Sequence, residues 1–417
     1  MTVYPFYSLN LASQETYSDS FAALKALCSP HLWTGDQSRR KVMSFLAHSV
    51  YSNQRRHPEH LNVFLFFAGR SALRFTLKSL NLPQNSKVIV QGFTCEAVIL
   101  PIIQSGLEPI YVDINRDDYS IDYDDLRRKL TSDTKVLILQ HSFGIIPNNR
   151  LEIIKLCADA HIWLIEDMAH GFVPSQVPMP CDTDQYCALV SFGRSKLISS
   201  VFGAGIVTPN IQLSNHLRAI ETKLPQAPVM TVVRCLMYKI CMPFIKSSYQ
   251  YGIGKGLHKL ATMLNLFSKE ISVKEKRGEY DLQYEYTYPE ALASTLISQI
   301  DHLDTVLKHI REVGQMYRGV PNASPPPLDP LNRYPIQLMN NNRNDILRHF
   351  NKFNIQLGSW YTQPVGPGEV NLAKMKYHKG MCPVAEEICQ NIVNLPTNVS
   401  LDMATFITQT LYEYNHH

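Results

Sequence analysis

Short apolar runs alternate with segments of helical pattern, without a break, over residues 63–210. The runs with strand character are Val63–Phe67, Lys87–Val90, Pro109–Asp113, Val136–Leu139, Ile162–Ile165, Ala188–Val190 and Ala204–Thr208. Between them, Leu73, Leu77 and Leu80 recur at helix spacing, and further helical segments are Cys95–Gln104, Asp122–Leu130 and Arg150–Ala160. This alternation predicts a large α/β domain with a mixed, mostly parallel sheet, in which Ala204–Thr208 is an antiparallel or edge strand.

Two polar stretches directly follow apolar runs of this sheet. Glu166-Asp167-Met168-Ala169-His170 follows Ile162–Ile165, and Ser191-Phe192-Gly193-Arg194-Ser195-Lys196 follows Ala188–Val190. Both are therefore expected at strand C-termini, where open α/β sheets bind ligands. Pyridoxal 5'-phosphate (PLP) needs an amine for a Schiff base with its aldehyde and a carboxylate that keeps its pyridine nitrogen protonated. Lys196 and Asp167 would supply both, although each alone also fits a surface lysine or a helix cap.

A glycine followed by a polar pair opens the helix after the first strand. Gly69, Arg70 and Ser71 stand before Ala72-Leu73. Free backbone N–H groups and the helix dipole converge at such a helix start, which suits an anion. An ordinary helix start is the alternative. The phosphate site is preferred because Asp167 and Lys196 indicate PLP, a cofactor that carries a phosphate.

The charge balance and the cysteines argue against several other classes of protein. The 417 residues include 40 basic and 36 acidic ones, and the net charge of +4 is too small to indicate nucleic-acid binding. Nine cysteines without a C-x-x-C pair argue against a disulfide framework or a metal site and for reduced thiols. Met1–Pro5 lacks the basic and apolar regions of a signal peptide, so a cytoplasmic location is expected.

Changes in composition divide the chain into four parts. These are an N-terminal segment (1–60), the large α/β domain (61–224), a connecting insertion (225–288) and a smaller C-terminal α+β domain (289–417). The last part is predicted to begin with one long helix from Pro289 to about Tyr317, followed by an exposed linker at Asn322–Pro330. Its remaining elements are a strand at Tyr334–Leu338 and helices at Asn344–Phe353, Val384–Asn394 and Leu401–Tyr412.

The insertion combines an apolar stretch with basic residues. Val229–Ile245 is apolar apart from Arg234 and Lys239, and seven basic residues follow it through Arg277. The stretch is too short and too charged to span a membrane comfortably. We expect it to pack in the core or against a second subunit; the alternative is peripheral contact of residues 229–277 with the inner face of a membrane.

Several motifs in one order resemble the DegT/StrS-type family of PLP-dependent aminotransferases, which have fold type I and act mostly on nucleotide-linked keto-sugars. The resemblance covers residues 60–417, most strongly up to 210. The motifs are Gly69-Arg70-Ser71-Ala72-Leu73, Phe93-Thr94-Cys95, Ser191 to Lys196, Cys382-Pro383-Val384-Ala385 and Asn394-Leu395-Pro396. The resemblance implies an aminotransferase that moves an amino group from an amino acid, glutamate by analogy, to a keto-sugar nucleotide in surface polysaccharide or glycoconjugate biosynthesis.

The resemblance also implies roles for single residues. Lys196 would be the Schiff-base lysine and proton shuttle, Asp167 the partner of the pyridine nitrogen, and His170 the partner of the ring's phenolic oxygen. The phosphate would be held by Gly69, Arg70, Ser71 and the Ser191 hydroxyl. Where the family usually stacks an aromatic residue on the pyridine ring, this chain has Cys95, so Phe93 is the remaining candidate.

The family resemblance further implies an isologous homodimer with the cofactor at its interface. A phosphate contact from the second subunit finds no match in this chain. Two other functions stay open: a dehydratase of the same fold, in which a histidine replaces the lysine, and a non-catalytic PLP-fold protein used for binding or regulation. Lys196 counts against the first, and the intact set of Lys196, Asp167 and His170 counts against the second.

Overall fold

The computed structural model describes residues 6–9, 15–51, 62–171, 183–320, 330–338 and 343–416. The strands are β1 (Tyr7–Ser8), β2 (Asn62–Phe66), β3 (Lys87–Gln91), β4 (Thr94–Cys95), β5 (Glu108–Val112), β6 (Thr134–Gln140), β7 (Trp163–Asp167), β8 (Tyr186–Ser191), β9 (Ala204–Thr208), β10 (Arg333–Gln337), β11 (Ile355–Gln356), β12 (Val365–Gly366) and β13 (Ile392–Pro396). The helices are α1 (Tyr17–Cys28), α2 (His31–Thr34), α3 (Gln37–Tyr51), α4 (Gly69–Ser79), α5 (Glu96–Gln104), α6 (Tyr123–Lys129), α7 (Arg150–Asp159), α8 (Ile211–Glu221), α9 (Val229–Ser247), α10 (Ile253–Met263), α11 (Val273–Lys276), α12 (Glu290–Asp301), α13 (Leu303–Tyr317), α14 (Arg343–Asn351), α15 (Pro383–Asn391) and α16 (Leu401–His416).

Seven strands form the central sheet in the order β2-β9-β8-β7-β6-β3-β5. β9 runs antiparallel to β2 and to β8, and the other pairings are parallel. Parallel strands covered on both faces need nearly continuous apolar runs, and in β7 the adjacent residues Leu164 and Ile165 belong to two different hydrophobic clusters. The predicted mixed, mostly parallel sheet is confirmed. Ala204–Thr208 is antiparallel as expected, but it lies inside the sheet and not at an edge.

The strand order brings the two polar stretches of the sequence together. β7 ends at Asp167 and β8 ends at Ser191, and the two strands are parallel neighbours. Their carboxyl ends therefore meet at the same edge of the sheet. This edge is where a ligand site is expected in such a sheet.

The C-terminal part builds a smaller α+β unit around the antiparallel pair β10–β13. Two predictions for this part are corrected. The single long helix after Pro289 is divided at His302, which has φ −109° and ψ 5° and ends α12. The helix predicted for Val384–Asn394 ends at Asn391, because the β-branched residues Ile392 and Val393 pair with β10. The linker predicted at Asn322–Pro330 lies outside the described residues except for Pro330.

Two short parallel pairs connect this unit to the rest of the chain. β11 pairs with β1, and β12 pairs with β4. The Thr94 N–H also donates to the Pro364 carbonyl at 2.9 Å. The second pair matters for function, because it draws the residues before β12 over the carboxyl ends of the large sheet.

The N-terminal segment and the insertion meet at the loop that carries Lys196. Lys239 of α9 is fully buried, lies 2.7 Å from a Glu15 carboxylate oxygen and donates to the Ser199 carbonyl at 2.6 Å. The Gln299 amide binds both the N–H and the carbonyl of Ser199, at 2.8 and 2.9 Å. Of the helices that the structure describes, none is both long and apolar enough to cross a membrane. The division of the chain into four parts remains a prediction.

Candidate active site

A cavity of about 240 Å³ lies at the carboxyl ends of β7 and β8. Asp167 and Lys196 both line it, together with Gly69, Arg70, Cys95, His170 and Ser191. The structure thus brings together seven of the residues that the sequence indicated for the site. Ser71 and Phe93 do not line this cavity.

Lys196 reaches the cavity from a tight loop after β8. Ser195 before it has φ 58°, in the left-handed region, and the Ser195 carbonyl accepts a hydrogen bond from the Asn332 amide at 2.7 Å. Enclosure by protein lowers the pKa of Lys196; the carboxylates of Asp167 and Glu270 oppose this shift, and the nearby Arg333 adds to it. A lowered pKa makes the neutral, nucleophilic amine more available than on a surface lysine.

Asp167 is the last residue of β7 and is only 5% exposed. One of its carboxylate oxygens accepts from the Ala169 N–H at 2.9 Å. Burial raises the pKa of Asp167, while the Ala169 hydrogen bond and the charges of Lys196 and His141 oppose the shift. A cationic partner in the cavity would favour the ionised carboxylate, as expected for a group that binds a protonated ring nitrogen.

Glu166, next to Asp167, is held in a buried network on the other face of the strand. Arg150 donates to both of its carboxylate oxygens, at 2.6 and 2.8 Å. His141 Nε2 and the Tyr186 hydroxyl lie 3.0 and 2.6 Å from the same carboxylate. Burial opposes ionisation, but these partners hold the pKa of Glu166 at about 2. The His141 ring is thus bound to Glu166 and does not line the cavity.

His170 is neutral and binds the small domain. The Phe143 N–H donates to its Nδ1 at 3.3 Å, so a neutral ring carries its proton on Nε2, which lies 2.8 Å from the Tyr361 hydroxyl. Burial and the charges of Lys196 and Arg333 lower the pKa of His170 well below its usual range. His170 therefore donates to Tyr361 in this structure, and the hydroxyl proton of Tyr361 is directed elsewhere.

The start of α4 faces the Ser191 hydroxyl. A Cβ added at Gly69 would stand 3.5 Å from Ser191 Oγ, so glycine keeps this concavity open. The N-cap Ala68 offers no side-chain hydrogen bond to the first N–H groups of the helix, which have no acceptor within the helix. Backbone donors of Gly69, Arg70 and Ser71 thus point toward the space beside Ser191.

The side chains of Arg70 and Ser71 are engaged elsewhere. The Arg70 guanidinium pairs with Glu275, and it lies 4.6 Å from the ring centroid of Tyr284. The Ser71 hydroxyl donates to the Ala68 carbonyl at 2.9 Å. Any anion at this helix start would consequently be held by backbone N–H groups and the Ser191 hydroxyl, rather than by the Arg70 side chain.

Cys95 and Phe93 occupy different positions relative to the cavity. Cys95 lines it with the thiol 2.8 Å from Glu96 Oε2, and burial raises the pKa of that thiol well above its usual range. Phe93 is fully buried and packs edge to face on Tyr361, with 5.3 Å between ring centroids. Phe93 therefore supports Tyr361 from behind and has no access to a ring in the cavity.

Four further residues of the cavity wall were not found by sequence reasoning: Glu270, Arg333, Trp360 and Tyr361. Trp360 stacks on the His170 ring at 5.1 Å, and Lys196 Nζ lies 5.4 Å from its indole centroid. The Arg333 guanidinium lies 3.4 Å from the same ring system. These residues come from the small domain and the insertion, more than 70 positions from Lys196, and no local pattern marks them.

Arg194 is half-buried in the loop that carries Lys196. Its guanidinium lies 3.9 Å from the Tyr238 ring centroid and donates to the Ser268 carbonyl. Arg194 thereby fastens the Lys196 loop to the insertion.

A sequence model of the DegT/DnrJ/EryC1/StrS aminotransferase family matches residues 56–224 and 255–409, well over half of the chain. The chain belongs to this family. The gap between the two matched ranges contains α9 and the start of α10, where this DegT-family chain departs from its relatives. The predicted family resemblance is confirmed.

Known relatives are similar over part of their length. GDP-perosamine synthase of Vibrio cholerae is 23% identical over 252 residues, which are 60% of this chain and 56% of that protein. The dTDP-4-dehydro-2,3,6-trideoxy-D-glucose 4-aminotransferase of Saccharopolyspora spinosa is 26% identical over 153 residues, 37% of this chain and 40% of that protein. The chain thus spans between 39% and 56% of the length of the curated relatives it matches.

Solved structures of similar fold extend over the whole chain. Helicobacter pylori PseC, an aminotransferase involved in the biosynthesis of pseudoaminic acid, has a TM-score of 0.71 at 15% identity, covering 98% of this chain and 99% of that one. Spr1654 of Streptococcus pneumoniae in its PLP form has a TM-score of 0.68 at 16% identity, covering 100% and 98%. At these identities the likeness shows the fold, which is that of the PLP-dependent aminotransferases.

Enzymes of this family depend on PLP, and the donor set of the cavity suits that cofactor. Lys196 offers an amine of lowered pKa, and Asp167 offers a buried carboxylate. The concavity beside Ser191 would be filled by a side chain larger than that of Gly69. An aldehyde, a pyridine nitrogen and a phosphate each find a chemically matched group here.

Proposed function

We propose that this chain is a PLP-dependent aminotransferase that moves an amino group from an amino acid, with glutamate as the first candidate, to a keto-sugar nucleotide. The observation that carries the proposal is the presence of Lys196 and Asp167 in one cavity at neighbouring strand ends. The names of GDP-perosamine synthase and of the dTDP-sugar aminotransferase support a nucleotide-sugar acceptor. Surface polysaccharide or glycoconjugate biosynthesis is the corresponding process.

The cofactor contacts follow from the donor set. Backbone N–H groups of Gly69, Arg70 and Ser71 and the Ser191 hydroxyl would hold the phosphate, and Asp167 would hold the protonated ring nitrogen. When bound, PLP would supply an aldehyde and a ring that withdraws electrons from the reacting carbon. Tyr361 accepts from His170, so its own hydroxyl proton is available to another acceptor; with PLP bound, the contact of His170 with the phenolic oxygen would run through Tyr361.

Lys196 is proposed to move the proton. Because its pKa is lowered by burial, its neutral amine can take a proton from Cα of the amino donor. Trp360 stacks on His170 and lies close to Lys196. Its indole would therefore limit the access of water to the Lys196 amine during the transfer of the Cα proton. Cys95 stays a thiol at neutral pH and contributes shape rather than charge.

The functional test uses the PLP-loaded protein and its visible absorption. Addition of L-glutamate should bleach the band near 400 nm and release 2-oxoglutarate in a single turnover, an outcome that a non-catalytic PLP-fold protein would not give. Asp167→Asn should keep the band but slow the bleaching by roughly 10²–10⁴-fold, because a neutral partner no longer holds the ring proton. Asp159→Asn, at the exposed end of α7, is the matched control. A wild-type rate in Asp167→Asn would contradict the assigned role.

Arg333 is the proposed site for the donor's carboxylate. Its guanidinium is buried in the cavity wall, and burial lowers its pKa to about 10, so it remains charged at neutral pH. A planar guanidinium suits a carboxylate better than an ammonium does. We expect Arg333→Met to lower kcat/KM for L-glutamate roughly 10–100-fold, the loss of one charge-assisted hydrogen-bonded pair.

The control for Arg333 is the reverse half-reaction. An aminated sugar nucleotide has no α-carboxylate, so its rate with the PLP-loaded Arg333→Met variant should stay within about threefold of wild type. Arg333→Lys should recover part of the lost glutamate activity, since lysine restores the positive charge but not the planar pair of N–H donors that binds a carboxylate with two hydrogen bonds. Equal losses in both half-reactions would remove Arg333 from this role.

The assembly and location are also proposals. We propose an isologous homodimer, which sedimentation at micromolar concentration would test; a fully active monomer would contradict it. A cytoplasmic location stays a prediction.

A further inference from the structure

One side of α10 exposes a continuous row of large apolar side chains. Ile253 is 62% exposed, Leu260 is 51% exposed and Met263 is 74% exposed. The row, called the α10 surface below, consists of Ile253, Leu257, Leu260, Met263 and Leu264. Their spacing of three and four residues places them on one helix face. Among the described residues, 11 of the 20 exposed large hydrophobic side chains lie between Val229 and Val273.

The α10 surface is held rigidly outward by the packing of the opposite face. A Cβ at Gly254 would stand 2.1 Å from the Ile245 carbonyl oxygen, so glycine is needed for α10 to approach the end of α9 this closely. Ala261 is buried, and the His258 ring stacks on Phe267 at 6.3 Å between centroids. Since Gly254, His258 and Ala261 face α9, the α10 surface cannot turn inward without breaking this contact.

The charged side chains of α9 and α10 are all basic. Residues 222–269 contain no aspartate or glutamate and seven basic residues, which are Lys223, Arg234, Lys239, Lys246, Lys255, Lys259 and Lys269; Glu270 is the first acid after them. Lys255 and Lys259 are exposed on α10 itself. Glu15 and Asp19, which lie against α9, are buried and directed at Lys239. Exposed positive charge on α10 therefore accompanies its exposed apolar row.

We propose that the α10 surface binds the surface of an anionic lipid bilayer. The helix lies in the plane of the membrane, with its apolar row at the boundary of headgroups and acyl chains and with Lys255 and Lys259 on the lipid phosphates. The lysine stems can cover apolar surface while their ammonium groups stay among the headgroups. This inference goes beyond the proposed transamination and does not depend on it.

A second copy of this chain fits the α10 surface less well than a bilayer does. An isologous contact through α10 would bring Lys255 and Lys259 of both protomers into the same interface. No acidic side chain of residues 222–269 is present to compensate them, and like charges across an interface cost several kcal/mol. A negatively charged lipid surface would instead attract Lys255 and Lys259.

The test is sedimentation of the PLP-loaded protein with vesicles. Vesicles of phosphatidylcholine with about one third phosphatidylglycerol should carry down the wild type at low salt, and pure phosphatidylcholine vesicles should carry down much less. Raising the salt to 0.5 M should release most of the protein, because exposed charges are screened. Leu257→Gln/Leu260→Gln/Met263→Gln should lower binding at least tenfold, and Lys255→Gln/Lys259→Gln roughly tenfold, at about 1 kcal/mol per lysine.

Matched controls carry the same changes outside the α10 surface. Leu151→Gln/Ile211→Gln alters side chains that are 72% and 73% exposed, and Lys41→Gln/Lys155→Gln removes two exposed charges. Both should bind vesicles like the wild type. All variants should keep the glutamate half-reaction in solution, which separates a failure of this proposal from a failure of the proposed function.

Three results would overturn the proposal. The first is a wild type that does not sediment with anionic vesicles at low salt. The second is a triple glutamine variant that binds as well as the wild type. The third is a wild type that forms a dimer and does not bind vesicles, together with a triple variant that is monomeric. That result would assign the α10 surface to a second copy of the chain.

Discussion

Replacing Lys196 with alanine should lower the rate of the glutamate half-reaction by roughly 10³-fold or more. The variant loses both the amine that attaches the cofactor and the base that takes the Cα proton, and removal of a positioned base alone costs about 10²–10⁴-fold. PLP should still bind, because the helix start at Gly69 and the Ser191 hydroxyl are unchanged. Borohydride reduction of the wild type followed by peptide mapping should place a pyridoxyl group on Lys196.

Lys155→Ala is the matched control for this change, since Lys155 is exposed on α7 and does not line the cavity. It should keep the wild-type rate and the wild-type label. Circular dichroism of Lys196→Ala should match that of the wild type, which shows that lost activity does not reflect lost folding. A pyridoxyl label on another lysine, or turnover by Lys196→Ala at the wild-type rate, would refute the assignment.

Replacing Glu166 with glutamine should destabilise the protein by roughly 3–5 kcal/mol, the usual cost of removing one partner of a buried ion pair. Glutamine preserves the shape but leaves the Arg150 guanidinium buried without its counter-charge, whereas in the wild type Arg150 donates a hydrogen bond to each oxygen of the Glu166 carboxylate. The measurement is the midpoint of urea unfolding for the large domain. Asp36→Asn, which breaks the exposed pair with Arg40, should change stability by less than about 1 kcal/mol.

The effect of Glu166→Gln should depend on pH. The folded pKa of Glu166 is about 2, below the usual 4.5, so its contribution is fully present above about pH 4.5. It is lost as the pH falls toward 2, because the folded state must then take up a proton that the unfolded state already holds. The stability difference between wild type and Glu166→Gln should therefore be constant from pH 6 to 8 and shrink in acid. A difference that grew in acid would show that Glu166 is not ionised in the folded protein.

The strands and helices of the large domain could be predicted because their patterns are local. Runs such as Val136–Leu139 are apolar enough to be buried on both faces, and their helices carry apolar residues at helical spacing. Errors occurred where a tertiary contact overrode the local pattern. His302 interrupts an apolar stripe that continues on both sides of it, and Ile392–Asn394 was predicted as the end of a helix although these residues pair with β10 in a sheet.

The candidate site could be predicted only where its residues follow a strand. Asp167 and Lys196 were found because strand ends converge at one edge of a parallel sheet. Trp360 and Arg333 reach the cavity through the pairing of distant segments, β12 with β4 and β10 with β13, and nothing near them in sequence indicates that pairing. The ion pair of Arg70 could likewise not be predicted, because its partner Glu275 lies in the insertion, 205 positions away.

The pairing of β4 with β12 also fixes part of the cavity wall. Trp360 and Tyr361 stand a few residues before β12 and line the same cavity as Cys95 of β4. An outward movement of this segment would have to separate Val365 and Gly366 from Thr94 and Cys95, or bend the chain between Tyr361 and Val365. The position of Trp360 and Tyr361 in the cavity wall therefore depends on a strand contact of only two residue pairs.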